Sequence, residues 1–477
     1  MKTMPGLLLI VVLMTTFLVF PAYAQNAAPG DFQYALDNGG KATIVYYMGA
    51  ETGTLMIPEQ LDGHPVVAIG QAAFMGNKFT SVVIPAGLTT ITPGVFGGSN
   101  GLVSIDVAAG NPVYEQVDGV LFDKAKKTLH TYPIARAASD YQIPQGTLII
   151  GNGAFFNCER LISVALPDTL TSIGENAFYG CKSLPSLAIP GGVTNIGNGA
   201  FSMCGALHDI ILPGSVKSIG TGVFDGCLNL ASLTVAADNP VFEVIGGVLF
   251  DKTQKLLHTY PQALTAPNYQ VPEGTLQIGS LAFALCTALK SVTIPDCVTS
   301  IGESAFLSCT ELESIVLPKG LTRLEASVFA ACEGLKSIQI PDGVTHIGPQ
   351  AFYNCFWLNQ VNIPYGVTSL EPYAFAYCGF IREITIPGSV LTIGDGAFMG
   401  CDYMTNAVIQ SGVQTIGAYA FSECLNLTWV SLPQSVSGIG ENAFFGCGKL
   451  VVSLVENSYA HEYFYQNKLQ FTFSKPQ

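Results

Sequence analysis

One short unit recurs along most of this 477-residue chain, and its spacing constrains the fold more than any other feature of the sequence. The Phe of each Ala-Phe or Val-Phe pair marks the unit, and most successive markers lie 23 residues apart. Two steps are longer because each contains an insertion. A fixed period of this length is the signature of stacked repeat architectures. The markers are Phe74, Phe96, Phe155, Phe178, Phe201, Phe224, Phe283, Phe306, Phe329, Phe352, Phe375, Phe398, Phe421 and Phe444.

Each unit contains a short segment with the apolar pattern of a β-strand. In residues 301–318, "IGESAFLSCTELESIVLP", the apolar residues Leu312, Ile315 and Leu317 end in strict alternation. Alternation of this kind suits a strand with one buried face. Pro318 follows, and it ends the strand because it has no amide hydrogen to donate.

The segment ahead of that strand, residues 302–309, is too short for a free-standing helix. We expect one or two helical turns there, with Phe306 pointing inward. A Gly follows the Ile in most units, which predicts either a positive φ or a close backbone approach. One unit cannot bury its apolar side alone, whereas stacked units cover each other. The sequence therefore predicts an α/β-type solenoid with a parallel β-sheet on one face and short helical turns on the other.

The unit "VTSIGESAFLSCTELESIVLP" resembles the BspA-like, or Treponema-type, leucine-rich repeat. The resemblance implies a solenoid over residues 67–447, an N-terminal cap over 25–66 and a C-terminal cap over 448–477. The C-terminal cap would be a short helix and a final strand. Members of this family are often secreted or surface proteins, and some are implicated in adhesion to host matrix proteins or to other bacteria. Adhesion is therefore an expectation for this chain.

The N-terminus has the pattern of a signal peptide. Lys2 precedes a long apolar run, and the small-x-small triplet 22–24 follows it. We expect residues 1–24 to be cleaved after Ala24; the alternative is an uncleaved membrane anchor. No later apolar stretch approaches the roughly 20 residues that span a bilayer. These features predict a secreted or cell-surface protein, with the periplasm as an alternative.

The charge of the chain argues against two classes of partner. The net charge is −14 and only 11% of residues are charged. Nucleic acids and anionic membranes are bound by basic patches, for which this sequence has few Lys or Arg residues. We also expect a monomer, because both ends of the solenoid are capped and blunt ends would otherwise stack.

The cysteines follow the repeat, and Cys297 is the exception, at a turn where we expect the most exposed thiol. Side chains on successive rungs repeat at about 4.8 Å, whereas the Cβ atoms of a disulfide lie about 3.8 Å apart. We therefore expect a column of buried free thiols rather than disulfides. Metal ligation is the alternative, but it needs ligands that converge. The column comprises Cys158, Cys181, Cys204, Cys227, Cys286, Cys309, Cys332, Cys355, Cys378, Cys401, Cys424 and Cys447.

The two insertions are close copies of each other. We expect β-hairpins at about residues 111–140 and 239–268 that project from one face of the solenoid. Each copy holds a Glu, an Asp, a Lys and a His, which could form an acid–base site. The alternative places Asp and Lys in the hairpin turn and His on the solvent side of a strand, and the lack of a pocket favours it. These residues are Glu115, Asp123, Lys124 and His130, then Glu243, Asp251, Lys252 and His258.

A candidate binding surface lies in the later repeats. The residue just before the second apolar position of the strand segment is Ser in most early units, and in later units it becomes Gln360, Glu383, Asn406 and Trp429. Residues 351–380 are also rich in aromatic side chains, which are favoured at binding sites. The alternative is packing between rungs. The aromatic candidates are Tyr353, Phe356, Trp357, Tyr365, Tyr373, Tyr377 and Phe380.

Three functions are compatible with these observations. The first is an exported, non-enzymatic repeat protein that binds an extracellular protein or glycan, with no cofactor and no metal. The second is a structural envelope or matrix component without a specific ligand. The third, a hydrolase, is disfavoured because the HExxH, GxSxG, P-loop and Rossmann motifs are missing in a suitable context.

Overall fold

The computed structural model describes residues 26–27, 31–49, 53–71 and 73–473. The predicted signal peptide, residues 1–24, lies outside this part. The described chain forms a parallel β-solenoid of about 19 turns, which confirms the predicted leucine-rich-repeat-like fold. Each turn of the solenoid, called a rung below, contributes strands to two separate ladders.

The N-terminal region is a small sheet that covers the first rung. Ala42–Tyr47 pairs antiparallel with Phe32–Leu36 and parallel with His64–Ile69. The Tyr47 ring lies 5.9 Å from Phe74, so the marker Phe of the first unit is covered from this side. The strands are Asn26–Ala27, Phe32–Leu36, Ala42–Tyr47, Gln60–Leu61 and His64–Ile69.

The first ladder consists of two-residue strands, most of which lie directly before a repeat glycine; Thr92, Glu325 and Glu371 follow the others. Successive strands pair in parallel register 23 residues apart, as Ile173 does with Ile196. The sequence pattern predicts only one sheet face, and this ladder is additional to it. Its strands are Thr90–Ile91, Ile149–Ile150, Ser172–Ile173, Asn195–Ile196, Ser218–Ile219, Gln277–Ile278, Ser300–Ile301, Arg323–Leu324, His346–Ile347, Ser369–Leu370, Thr392–Ile393, Thr415–Ile416 and Gly438–Ile439.

The second ladder contains the predicted strands, and their apolar residues point inward while the alternate residues face water. The strands are Thr54–Met56, Ser81–Ile84, Ser104–Val107, Asp140–Gln142, Ser163–Ala165, Ser186–Ala188, Asp209–Leu212, Ser232–Val235, Asn268–Gln270, Ser291–Thr293, Ser314–Val316, Ser337–Ile338, Gln360–Val361, Glu383–Ile386, Asn406–Ile409, Trp429–Leu432, Val451–Leu454 and Phe471–Phe473.

Between the two ladders each rung runs through consecutive hydrogen-bonded turns, not the short helical turns that we predicted. Amides in this segment alternate between partners in the same rung and partners in the next. The Cys158 amide donates to Phe155 three residues earlier, and the Asn157 amide donates to Tyr179 on the following rung. Asn157 has a φ of 56°, in the left-handed region that Asn tolerates. The turns therefore satisfy the backbone between rungs without a helix.

The repeat glycines mark a close approach between neighbouring rungs. A Cβ at Gly197 would lie 2.5 Å from the Glu175 nitrogen and 2.7 Å from the Gly174 carbonyl carbon. The φ of Gly197 lies outside the left-handed region, so the glycine is needed for space rather than for its backbone angle. Of the two reasons predicted from the sequence, close approach is the one that the structure supports.

The marker phenylalanines point inward and stack on each other, as predicted. The Phe155 and Phe178 rings are fully buried and nearly parallel, with centroids 4.8 Å apart. Tyr132 and Tyr260 take the marker's place at the rungs that contain an insertion, each 5.2 Å from the next marker ring. The buried core divides into three clusters, and the boundaries between them lie at the two insertions.

The insertions fold into the solenoid instead of projecting from it. Each is an antiparallel three-stranded meander whose last strand enters the first ladder, as Thr128–Thr131 does beside Ile149–Ile150. Val120, Leu121 and Phe122 are fully buried, which explains why the insertion cannot stand out in water. The strands are Tyr114–Val117, Val120–Asp123 and Thr128–Thr131, then Phe242–Ile245, Val248–Asp251 and Leu256–Thr259.

The C-terminal region closes the last rung with a helix, Tyr459–Gln466, and the strand Phe471–Phe473. The Ser458 side chain accepts a hydrogen bond from the His461 amide and caps the helix. Phe464 lies 5.5 Å from Phe444 and covers the end of the aromatic stack.

Candidate functional site

Three consecutive rungs place an aromatic residue at the same position, five residues after the marker Phe. These residues are Trp357, Phe380 and Tyr403. Together with Phe356 they form a surface that we call the aromatic column. Tyr403 was not predicted from the sequence because it lies beyond the dense aromatic segment 351–380, although the 23-residue period places it next in the series.

The rings of the aromatic column pack against each other on the outside of the solenoid. The Trp357 and Phe380 rings lie 4.3 Å apart and the Phe380 and Tyr403 rings 4.7 Å apart, both stacked. The Phe356 ring meets both Trp357 and Phe380 edge-on. Trp357 is 49% exposed and Tyr403 is 47% exposed, so the column is a contiguous apolar surface that faces water.

Backbone contacts between rungs hold these rings in line. The Phe380 amide donates to the Phe356 carbonyl at 3.0 Å, and the Tyr403 amide donates to the Gly379 carbonyl at 2.9 Å. A Cβ at Gly379 would lie 2.8 Å from the Phe356 ring. Glycine at this position therefore leaves room for the Phe356 ring against the next rung.

The other aromatic candidates do not join the aromatic column. Tyr353 and Tyr377 form their own edge-on pair at 5.4 Å and are partly buried. Tyr373 is partly buried, and Tyr365 is 74% exposed. Trp429 is 38% exposed and begins a strand of the second ladder.

A polar row runs beside the aromatic column, three residues further along each rung. It comprises Gln360, Glu383 and Asn406, the first residues of three strands in the second ladder. The Asn406 side-chain amide donates to the Glu383 carboxylate at 3.1 Å. The candidate surface thus has an aromatic half and a polar half.

Carboxylates outnumber cations around this surface. Between residues 329 and 429 there are seven Asp or Glu residues and two Lys or Arg residues. Partial burial raises the pKa of Asp402, which lies next to Tyr403, and the nearby Glu423 carboxylate adds to this shift. The region is therefore negatively charged as well as apolar.

The thiol column lies inside the solenoid, away from this surface. Each Cys thiol donates to the carbonyl of the marker on the preceding rung, as Cys181 does to Phe155 at 3.2 Å. In one early unit the Ser99 hydroxyl makes the same contact with Phe74 at 2.9 Å. All cysteines are free thiols; those of the column are buried except Cys447, which is partly buried. Burial raises the pKa of the Cys204 thiol to about 12.

Cys297 is partly buried rather than fully exposed. Its thiol donates to the Thr275 carbonyl at 3.2 Å. Within the described residues, no group of three or more His, Cys, Asp or Glu side chains could hold a metal ion.

The charged residues of the insertions act as separate structural contacts. The Asp123 carboxylate accepts from the Lys127 amide at 2.8 Å, and the Lys124 ammonium donates to the Asn111 carbonyl at 2.9 Å. Asp251 and Lys252 make the corresponding local contacts in the second copy. These contacts agree with the structural interpretation of Asp and Lys in the turn.

The insertion histidines pack against the preceding rung. The alternative that placed them on the solvent side of a strand is therefore wrong. His130 Nε2 donates to the Ile91 carbonyl at 3.2 Å, and its ring meets Tyr114 edge-on. Burial lowers the pKa of His130, and likewise that of His258. Each ring therefore joins its insertion to the preceding rung in the neutral state.

No helix in the described part of the chain has the length and apolar character needed to cross a bilayer. The uncleaved anchor considered for residues 1–24 lies outside the described residues.

Comparison with known proteins identifies the repeat. The family model for the BspA type leucine rich repeat region matches residues 67–126, 135–256, 261–382 and 368–472. A leucine rich cell surface protein from Faecalibacterium prausnitzii is 28% identical, with 80% of this chain and 94% of that chain covered and a TM-score of 0.46. A leucine-rich repeat protein from Bacteroides ovatus is 26% identical, with 94% of this chain and 100% of that chain covered and a TM-score of 0.45. No curated protein matches this chain. The family match covers most of the chain, which therefore belongs to the BspA-type leucine-rich repeat family.

Proposed function

We propose that this chain is an exported, non-enzymatic repeat protein that binds another extracellular protein through the aromatic column. The observation that carries the proposal is the contiguous patch that the exposed Phe356, Trp357 and Tyr403 form around the partly buried Phe380. Monomeric proteins rarely leave such a patch open unless it takes part in an interaction. Export is supported by the signal-peptide pattern of residues 1–24.

The arrangement of the rings favours a protein partner over a glycan. Sugars bind aromatic side chains by lying against a free ring face. Phe380 is sandwiched between Trp357 and Tyr403, so both of its faces are occupied within the aromatic column. Exposed aromatic side chains such as Trp357 and Tyr403 are enriched at the cores of protein–protein interfaces.

The test compares two exposed tryptophans. Mature protein, residues 25–477, is applied to an array of extracellular-matrix proteins and glycans, with Trp357→Ala and Trp429→Ala alongside it. Trp429 is a matched control because it is also partly exposed but lies outside the aromatic column. Removal of a central aromatic anchor costs about 2 kcal/mol or more, roughly thirtyfold in affinity.

We expect Trp357→Ala to lose at least this much affinity for the captured protein and Trp429→Ala to stay within about twofold. Equal affinities of all three proteins would refute the role of the aromatic column. Binding to glycans alone would refute the choice of a protein partner.

A further inference from the structure

The second ladder is interrupted beside the aromatic column. One sheet ends at Gln360–Val361 and the next begins at Glu383–Ile386, and within the described chain no bridge joins these two strands. A groove of about 290 Å³ opens between them. Tyr365, Glu383 and Thr385 are among the residues that line it.

Asn362 fixes the position of one wall of the groove. Its side-chain oxygen accepts from the Ile340 amide at 2.8 Å, and its side-chain nitrogen donates to the Ile340 carbonyl at 2.9 Å. Both bonds join this rung to the preceding one, on the side away from Glu383–Ile386, and so help to keep the groove open. Thr293 and Thr385 occupy the equivalent position on other rungs and have no such amide.

The lining of the groove combines three features that suit a cationic side chain. Ile363 and Ile384 form a buried apolar floor that can cover an aliphatic stem. Glu383 supplies an exposed carboxylate, and Tyr365 supplies an exposed aromatic ring. A Lys or Arg head group is stabilised by both a carboxylate and a ring face.

We propose that this groove binds an extended, positively charged segment of a partner protein. One Lys or Arg side chain enters between Tyr365 and Glu383, and the main chain of the segment follows the open edge of Glu383–Ile386. The excess of carboxylates between residues 329 and 429 attracts such a segment. The inference rests on the proposed function, since Phe380 of the aromatic column lies three residues before Glu383.

The test uses labelled octapeptides and the mature chain. One peptide alternates Lys and Thr, and its counterpart alternates Glu and Thr. Binding is followed by fluorescence anisotropy at about 0.15 M salt, where the Debye length of about 8 Å screens long-range attraction. Asn362→Thr gives the rung the residue found at positions 293 and 385 and leaves the charge unchanged. Glu383→Gln removes the carboxylate, and Glu175→Gln is a control at an exposed carboxylate on a distant rung.

We expect the Lys/Thr peptide to bind and the Glu/Thr peptide not to bind. Asn362→Thr and Glu383→Gln should each lower affinity about tenfold, while Glu175→Gln leaves it unchanged. Tyr365→Ala should weaken binding too, and because this ring is exposed the variant should fold normally.

Wild-type affinity in a folded Asn362→Thr and in Tyr365→Ala would overturn the proposal. An equal loss in Glu383→Gln and Glu175→Gln would also overturn it, because binding would then follow net charge. Either failure leaves the proposed function standing if Trp357→Ala still loses binding to a whole extracellular protein.

Discussion

Two adjacent phenylalanines separate the contribution of burial from that of ring stacking. Phe155 and Phe156 each stack on a ring of the next rung, with centroids 4.8 Å apart in both cases. Phe155 is fully buried in the core, whereas Phe156 is only partly buried. Changing each to Ala therefore removes a similar stacking contact from two different environments.

The expected losses differ several-fold. Phe155→Ala leaves a cavity in a packed interior, which costs about 3–5 kcal/mol. Phe156→Ala loses a partly solvated pair, which is worth about 0.5–1.5 kcal/mol. The free energy of unfolding is measured by urea titration followed by circular dichroism, with hydrogen exchange used to find which rungs open.

Hydrogen exchange can locate the destabilised rungs because the buried core is divided into separate clusters at the insertions. Destabilisation by Phe155→Ala should be concentrated between residues 120 and 249, the span of one core cluster. A loss below about 1 kcal/mol for Phe155→Ala, or equal losses for the two variants, would refute the argument that the marker phenylalanines form the buried core.

Two further predictions test the rung contacts and the insertions. Gly197→Ala should lower stability by about 1–3 kcal/mol in a thermal or urea melt, because its Cβ would press on the Glu175 backbone. Gly205→Ala is the control and should be nearly neutral, since nothing lies within 4 Å of its Cβ; equal losses would contradict the close-approach argument. Burial lowers the pKa of His130 and His258, so the folded chain holds fewer protons than the unfolded chain. The contribution of these histidines to the free energy of unfolding is complete above the unfolded pKa of about 6.5 and is lost as the pH falls below that value. A double His→Gln variant should therefore show a smaller drop in stability between about pH 7.5 and pH 5 than the wild-type chain. An unchanged drop would show that these histidines do not couple pH to stability.

The repeat made most of the fold predictable. The 23-residue period and the inward Phe, as at Phe306, follow from the need of each unit to cover its neighbour. The first ladder was not predicted because strands such as Ser172–Ile173 are two residues long, too short to show alternation. The prediction of helical turns was wrong because a segment of this length can form either helical turns or consecutive hydrogen-bonded turns. The recurrence of Asn and Gly at positions such as Asn157 is the signal of left-handed turns.

The candidate site was predictable only in part. Clustering in the sequence identified Trp357 and Phe380, but which rings face water depends on the path of the turn between the ladders. Tyr403 belongs with them because it lies one period after Phe380. The groove beside Asn362 could not be predicted, because the repeat pattern does not show which neighbouring strands of the second ladder remain unpaired.

The most direct test of the stacked-rung account measures thiol reactivity in the native protein. The native chain is treated with iodoacetamide, and the modified cysteines are located over time by mass spectrometry. We predict that Cys297 reacts first and Cys447 next, because these two are only partly buried. The remaining thiols should react only after denaturation, since burial and a raised pKa such as that of Cys204 suppress the reactive thiolate. Rapid and uniform modification of all the cysteines in the folded protein would contradict the account.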